Sequence, residues 1–510
     1  METKTIFGFL LFLYYGLGAY ITYRFIKKIA TKPLHILQLE GYDNEEYKTW
    51  LDNNPEAKFG KIKESIQEKT PLVMTPRATR LYTKYMQTNA VILVILLGLS
   101  ALFYHKIIWI LLFPILLYLL YRTQFLVIIV ANTIALPKEK KINHGFYVQA
   151  QEKIKSYPNL QVVGITGSFG KTSTKFITNT ILSEKLKVQN TPSSYNTPMG
   201  LSKVINNDLD ETKEVFIAEL GAKVPGEIKE VADLVQPTIG VITAIGPTHM
   251  HLFKTIENIK KTKYELIEAL PETGIAIFNY DNEHVKELAD KAKIHKLLYG
   301  MEDVEKLDIY ADNFTIGANG STFRLHLPGK SPVICETKLL GKHNISNLLA
   351  AASIAHVLGM EPIEIANGIR KVEPVEHRLN LIKGPTGVLV IDDAFNSNPI
   401  GARAALEVLN TFKGGKKIII TPGMVELGDI EEEENYKLGK EIAKVCDYCI
   451  LVGPKRTEPI QRGLKEVGYP EQSLFIAKSL QEATEISGHL TKAGDIILIE
   501  NDLPDTYNEV

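Results

Sequence analysis

The chain has 510 residues, of which 45% are hydrophobic and 23% charged, with a formal net charge of −1. That length exceeds a single hydrophobic core and implies two to four domains, and the near-neutral balance excludes a globally basic nucleic-acid binder. Only three cysteines occur, Cys335, Cys446 and Cys449; they cannot all pair, which suits a reducing compartment.

The apolar residues are unevenly spread. Residues 5–23 carry no charge and are about long enough to span a bilayer. Without a basic leader or a small-residue cleavage site, they read as an uncleaved anchor. Residues 90–121 carry only Lys106 and suit two short spans, about 90–104 and 107–121, turning near Tyr104–His105–Lys106; one long tilted span is the alternative. Phe125–Pro137 is too short to span and suits the interface. Arg24, Lys27, Lys28 and Lys32 follow the first span, Arg77, Arg80 and Lys84 precede the second, and Arg122, Lys138, Lys140 and Lys141 follow the last. The basic bias predicts a multi-pass protein of the cell membrane, with a cytoplasmic loop over 24–89 and everything after about 122 on the cytoplasmic side. Residues 1–145 are thus expected to form a membrane region.

After residue 145 strands and helices alternate. Buried strands are predicted over 161–166, 214–220, 238–245 and 274–280, with helices between, which indicates a mostly parallel sheet covered on both faces. Residues 306–340 contain short alternating runs with Asn-Gly and Pro-Gly turns, a small antiparallel meander. A helix is predicted over 343–358, closed by Gly359. A second α/β series, with strands over 387–393, 416–421, 448–453 and 494–500, reads as a Rossmann-like domain. The expected division is 146–375 for a central phosphate-loop α/β domain and 376–510 for the second, joined near Val372–His377. Glu431–Glu434 suit a solvated first helical turn. Cys446 and Cys449 lie where a helix end runs into a strand and read as two packed thiols.

The segment VVGITGSFGKTSTKF, residues 162–176, carries the chemistry. A strand enters a glycine loop that opens a helix. Gly167 and Gly170 permit the tight turn, and the N–H groups of the loop from Ser168 to Ser173 point at a phosphate above a positive helix end. Lys171 would reach the terminal phosphates of ATP and Thr172 would hold Mg2+. The spacing departs from the general phosphate-loop pattern, because Ile165 stands where its first glycine belongs. Glu219 and His249 follow the carboxyl ends of predicted parallel strands, where open sheets bind ligands, and suit a second Mg2+. Lys263 lies on a predicted helix, where a lysine usually faces solvent.

The chain resembles the Mur ligases, most closely the MurF type, which adds D-alanyl-D-alanine to UDP-N-acetylmuramoyl-tripeptide. The resemblance runs from about 160 to 500 through TGSFGKTSTK, SYNTPMGL (194–201), AELGA (218–222), IGPTHM (245–250), NIKKTKYEL (258–266), HNISNLLAA (343–351), EHR (376–378), IDDAFNSNP (391–399) and GMVELGD (423–429). It implies catalytic roles for Lys171, Lys263, Arg378 and His249. Thr172, Glu219 and His249 would bind magnesium. Lys263 matches a lysine carbamylated in many members. Asn347 matches an adenine contact, with Asn344 in the same motif. Arg378 matches an arginine reaching the γ-phosphate, Asp393 a contact to the nucleotide ribose, and Asn196 an asparagine beside the reacting acyl group. The implied activity is an ATP-dependent amide ligase of cell-envelope synthesis, working through an acyl-phosphate and releasing ADP and phosphate.

Three departures bear on substrate. Hydrophobic spans stand in residues 1–145 in place of the family's UDP-sugar domain, which suits an acceptor carboxylate presented at the membrane, such as a lipid-linked cell-wall precursor. Ala244 replaces an asparagine and Phe395 a tyrosine. Glu500, Asn501 and Asp502 replace a basic segment associated with the incoming amino acid or dipeptide, so the amine need not be D-alanyl-D-alanine. A membrane-bound ATPase or nucleotide sensor that has lost ligation is the reading from another class. A polyglutamate-type ligase acting on a soluble cofactor is a third.

Overall fold

A computed structural model of the protein describes residues 2–60, 71–317, 320–384, 386–395 and 397–503, with the side chains of residues 2–5 left aside. Asn319 of the predicted Asn-Gly turn, Asn396 of IDDAFNSNP, residues 61–70 of the loop 24–89 and the end of the carboxyl-terminal domain beyond 503 lie outside the described residues. Two units result, one up to His144 and one over Gly145–Asp502.

The first unit is helical. Two helices are long and apolar enough to cross a membrane, Ile6–Leu39 and Pro76–Phe103. A further pair, Ile107–Arg122 and Gln124–Lys155, passes the same test together but is bent by 71°. The break at Tyr104–Lys106 divides the apolar stretch 90–121 into two helices rather than one tilted span. Phe125–Pro137 is part of the long helix Gln124–Lys155, with Pro137 inside it, rather than a separate interfacial piece. The loop 24–89 is largely helical in its described part. Asp43 accepts hydrogen bonds from the N–H groups of Glu45 and Glu46 and starts the helix Asn44–Asn53. Thr75 caps the helix from Pro76 by accepting the Ala78 N–H. Inside this unit the Arg80 guanidinium forks onto the Glu139 carboxylate at 2.7 and 2.6 Å.

The second unit contains two sheets. The first has strands β1 (Gln161–Thr166), β2 (Val188–Asn190), β3 (Val215–Glu219), β4 (Ile239–Ile242), β5 (Ile275–Asn279), β6 (Lys296–Gly300), β7 (Ile309–Gly317), β8 (Gly320–His326) and β9 (Val333–Thr337), in the order β2-β3-β1-β4-β5-β6-β7-β8-β9. Pairs from β2 through to β7 are parallel; β7–β8 and β8–β9 are antiparallel, which is the meander. β1 is central and fully flanked, so its inward residues are all apolar: Val163 and Ile165 pack with Ile217 of β3 and Val241 of β4. Each such side chain contributes roughly 1.5–3 kcal/mol by burial. The helix Lys342–Val357 is buried nearly all round. Its run Ala350–Ala351–Ala352 has high helix propensity and small side chains, which lets it lie close against the phosphate-loop helix Lys171–Leu182.

The second sheet has strands β10 (Asn380–Lys383), β11 (Leu389–Asp393), β12 (Lys417–Thr421), β13 (Tyr448–Val452), β14 (Leu474–Ala477) and β15 (Ile496–Glu500), in the order β10-β11-β15-β12-β13-β14, with only β10 antiparallel. The last strand inserts between β11 and β12, so chain connections diverge there and a crevice opens at the carboxyl ends. The register sets Asp393 of β11 beside Glu500 of β15. The mixed α/β class predicted from the alternation is what the chain adopts, with the short strands β2, β6, β10 and β14 added. Cys335, Cys446 and Cys449 are buried free thiols, and Glu431–Glu434 form the first turn of the helix Glu431–Val445.

Candidate functional site

β1 ends at Thr166 and the chain turns through Gly167–Gly170 into the helix that begins at Lys171. Two positions require glycine. A Cβ at Gly167 would fall 2.1 Å from the Thr243 hydroxyl, and one at Gly170, where φ is +83°, would fall 2.8 Å from Oδ1 of Asn347. The loop is pinned from behind. Ser168 N–H donates to Ala244 C=O at 2.7 Å, Ser168 Oγ donates to Gly246 C=O at 2.9 Å, and Thr243 Oγ1 donates to Phe169 C=O at 2.6 Å. Thr172 and Ser173 occupy the first turn of the helix. The result is a rigid cradle of backbone donors at a helix N-terminus, which suits a phosphate group.

Lys171 folds back over this cradle and donates to the carbonyls of Gly167 and Ser168 at 2.7 and 3.2 Å. Burial lowers its pKa, Glu219 opposes the shift and Arg378 adds to it. The Arg378 guanidinium, on the segment leading into β10, therefore acts on the same charges as the cradle. It lies 4.2 Å over the Phe395 ring. Burial lowers its pKa too, against the pull of Asp393 and Glu219. Burial pushes Asp393 up to about 6, with Arg378 pulling the other way; its side chain accepts the Leu379 N–H at 3.2 Å.

Glu219, at the end of β3, is a hub. One oxygen accepts from the Thr172 hydroxyl at 3.1 Å and from the Asn196 amide at 3.2 Å. The other takes Lys175 Nζ at 3.1 Å, and both side chains are closed to solvent at 0% and 1% exposure. Lys175 also donates to the carbonyl of Ser193, a non-glycine residue at φ +45° in the loop that carries Asn196. The chain N–H of Gly221 donates to Asn196 C=O at 3.0 Å. Lys175 thus ties the phosphate-loop helix to the Asn196 loop through a desolvated charge pair. Removing either partner would leave an uncompensated buried charge. Lys175 closes the motif TGSFGKTSTK, but nothing in the sequence pattern marks its burial, because a lysine one turn into a helix ordinarily reaches water.

Lys263 is 2% exposed on the helix Ile256–Glu268. Its nitrogen lies 5.8 Å from the Phe253 ring centroid. Burial, with help from Lys171, drives its pKa down to about 7, against the charges of Glu227 and Glu265. Asn347 and Asn344 sit on the buried helix beside the cradle. Asn347 accepts from the Thr174 hydroxyl at 3.2 Å and donates to Asn344 at 3.3 Å, and Asn344 donates to Leu340 C=O at 2.9 Å. His249 follows β4 with φ +49° and faces the second lobe, where Glu426 Oε2 lies 2.7 Å from its Nδ1. Burial pushes the Glu426 carboxyl up, but His249 and Lys223 outweigh it and hold it below the ordinary value.

Lys171, Thr172, Glu219, Lys175 and Asn347 are therefore in contact round one cradle, Arg378 and Lys263 act on the charge of Lys171 there, and Asp393 stands behind Arg378. His249 stands at the lobe junction, and no group of three or more His, Cys, Asp or Glu side chains is arranged as a complete metal cage among the described residues. The Thr172 hydroxyl and Glu219 carboxylate, meeting at 3.1 Å, are hard oxygen donors of the kind Mg2+ takes when phosphates and waters supply the remainder.

Two α/β lobes, the first carrying a phosphate loop, define the class of protein this is. Residues 165–355 match the Mur ligase middle domain and residues 377–500 the Mur ligase, glutamate ligase domain. The chain belongs to the Mur ligase family. It is 31% identical over 289 residues to the UDP-N-acetylmuramoyl-tripeptide–D-alanyl-D-alanine ligase of Bacillus subtilis, covering 56% of this chain and 60% of that protein. The Escherichia coli ligase of the same name is 30% identical over 295 residues, covering 58% and 64%. Among solved structures, MurF of Acinetobacter baumannii superposes with a TM-score of 0.64 at 26% identity, over 72% of this chain and 78% of that one. The chain spans about 60% of the length of these curated relatives.

Proposed function

We propose that this protein is an ATP-dependent acid–amino acid ligase of peptidoglycan synthesis, MurF-like in its chemistry, and that its apolar helices hold it at the membrane with both lobes on the cytoplasmic side. The observation that supports this most is the gathering of Lys171, Glu219 and Arg378 from separate elements round one phosphate cradle. An acceptor carboxylate would attack the γ-phosphorus of ATP, breaking the bond to the β–γ bridging oxygen and releasing ADP. An amine would then attack the acyl-phosphate carbon, lose a proton and expel phosphate. Lys171 and Arg378 would offset charge on the transferring group, and the backbone donors of Phe169–Thr172 would hold the phosphates, the Ser168 N–H being spent on Ala244 C=O. Magnesium, when bound through Thr172, Glu219 and His249, supplies further neutralisation of the phosphate oxygens. Asn196, tied to Glu219, would place the acyl group. Water must be kept out, since the acyl-phosphate hydrolyses, which suits lobe closure over the cleft.

The acceptor is proposed to be a carboxylate carried by a lipid-linked cell-wall precursor. Membranes containing the full chain, given ATP, Mg2+, membrane extract and a panel of amino acids and dipeptides, should release phosphate only when acceptor and amine are both present. Turnover indifferent to both would favour a membrane ATPase instead.

Lys263 is proposed to be carbamylated: its neutral amine would add to CO2 with loss of a proton, producing an anion near Lys171. With 13C-labelled bicarbonate, a carbamate carbon resonance is expected in the wild type and not in Lys263→Arg. At fixed dissolved CO2 it should grow as pH rises through about 7, because the amine is then unprotonated. A spectrum identical in the two proteins would remove the carbamate from the scheme.

A further inference from the structure

Two non-glycine residues with left-handed backbone meet where the lobes join, His249 at φ +49° and Glu426 at φ +64°. Such conformations persist when the surroundings hold them, and they concentrate at working sites. Here each holds the other. Met250 N–H donates to Glu426 C=O at 3.0 Å, and His251 Nδ1 lies 3.5 Å from the same oxygen. A Cβ at Gly428 would come within 3.1 Å of the His251 nitrogen, so the loop after β12 lies flush against the His249 turn. The side chains complete the contact. Glu426 Oε2 is 2.7 Å from His249 Nδ1, a close approach rather than an aligned hydrogen bond, and that nitrogen is sealed from solvent with no hydrogen-bond partner among the described residues.

We propose that Glu426 is a positioning residue for His249, supplied by the opposite lobe: it holds Nδ1 and thereby leaves Nε2 as the nitrogen that accepts a metal. This rests on the reading of His249 as a magnesium ligand. A carboxylate on one ring nitrogen keeps the proton there, fixes the ring's orientation and makes the other nitrogen a better donor. The arrangement has a consequence for order of events. His249 belongs to the lobe that carries the phosphate cradle, whereas Glu426 and Arg378 belong to the other. Lobe closure would then deliver the arginine and set the histidine in one movement, so that the metal site is complete only when the reacting phosphate is enclosed.

The test uses Mn2+ in place of Mg2+, with the full chain in detergent and ADP, following free Mn2+ by electron paramagnetic resonance. Glu426→Ala is expected to weaken Mn2+ uptake by about 10- to 100-fold, and Glu426→Gln, which keeps the shape, by less. ADP affinity without metal should be unchanged in both, whereas a merely structural role would lower it with the metal affinity. In a His249→Ala background Glu426→Ala should add no further loss. Unchanged or tighter Mn2+ uptake in Glu426→Ala overturns the proposal. Wild-type uptake indifferent to His249→Ala overturns the magnesium reading itself, and the proposal with it.

Discussion

Lys171→Ala and Arg378→Ala are each expected to lower acceptor-dependent phosphate release by about 10^3-fold or more, the range seen when a phosphoryl-transfer site loses a charge aimed at the transferring group. The two should differ in what else they lose. Lys171 lies in the cradle itself, bonded to the Gly167 and Ser168 carbonyls, so its removal also strips charge from the resting phosphate site and ADP binding should weaken. Arg378 arrives on the segment before β10, packed over Phe395 with Asp393 as its larger acidic influence. ADP affinity in Arg378→Ala should stay within a few-fold of wild type while the rate falls. Arg378→Lys should not restore it, since a point charge cannot reproduce a planar fork stacked on a ring. Single-turnover phosphate release and ADP titration of the same preparations separate these outcomes. A normal rate with weakened ADP binding in Arg378→Ala would mean that the arginine only anchors nucleotide, and that the lobes need not meet for chemistry.

Some of this site was legible in the residues because the chemistry is local. A phosphate cradle needs glycines, a lysine and a hydroxyl within a few positions, so Gly167, Gly170, Lys171 and Thr172 stand out in the chain and in space alike. Glu219 was accessible through its place at a strand end, Asp393 only through the resemblance carried by IDDAFNSNP. Lys175 was not: its burial is created by Glu219 and Ser193, which come from other elements, and a lysine's own spacing says nothing of what will surround it. The pairing of His249 with Glu426 was hidden for the same reason, since it joins loops of separate lobes. Among elements, β2 and β10 carry no apolar alternation to betray them, being Val188–Asn190 and Asn380–Lys383 at sheet edges. The helix Asn44–Asn53 did offer a signal, Asp43 before Glu45 and Glu46, within a stretch read only for its charge. Pro137 bounds an apolar run in the sequence, yet the helix continues through it; composition marks where a helix is weakened, and packing decides whether it breaks.

Glu500→Gln is expected to stabilise the second sheet at pH 8 and to make no difference near pH 4. Glu500 is 1% exposed at the end of β15. It accepts from Ser397 Oγ and, at 2.9 Å, from Thr421 Oγ1. Burial drives its pKa up from 4.5 to about 7, and neighbouring Asp393 adds to the shift, while the two hydroxyls oppose it. The folded protein therefore holds a proton that the unfolded chain has lost between pH 4.5 and about 7, and stability falls as pH rises through that window. Above it the buried charge costs about 3 kcal/mol, at 1.36 kcal/mol per pKa unit. Glutamine is neutral throughout; its one carbonyl oxygen can accept from one of the two hydroxyls and its NH2 can donate to the other, so the substitution removes that cost without opening a cavity. Because a chain of several units need not unfold in one step, the reading should be local: hydrogen exchange of the β15 amides, Ile496–Glu500, compared between the two proteins from pH 5 to pH 8. The gain in protection should appear across that interval and level off above about pH 7. A gain of equal size at both ends, or a loss at every pH, would mean that the carboxyl does not change charge there and that the two hydroxyls hold an acid already ionised.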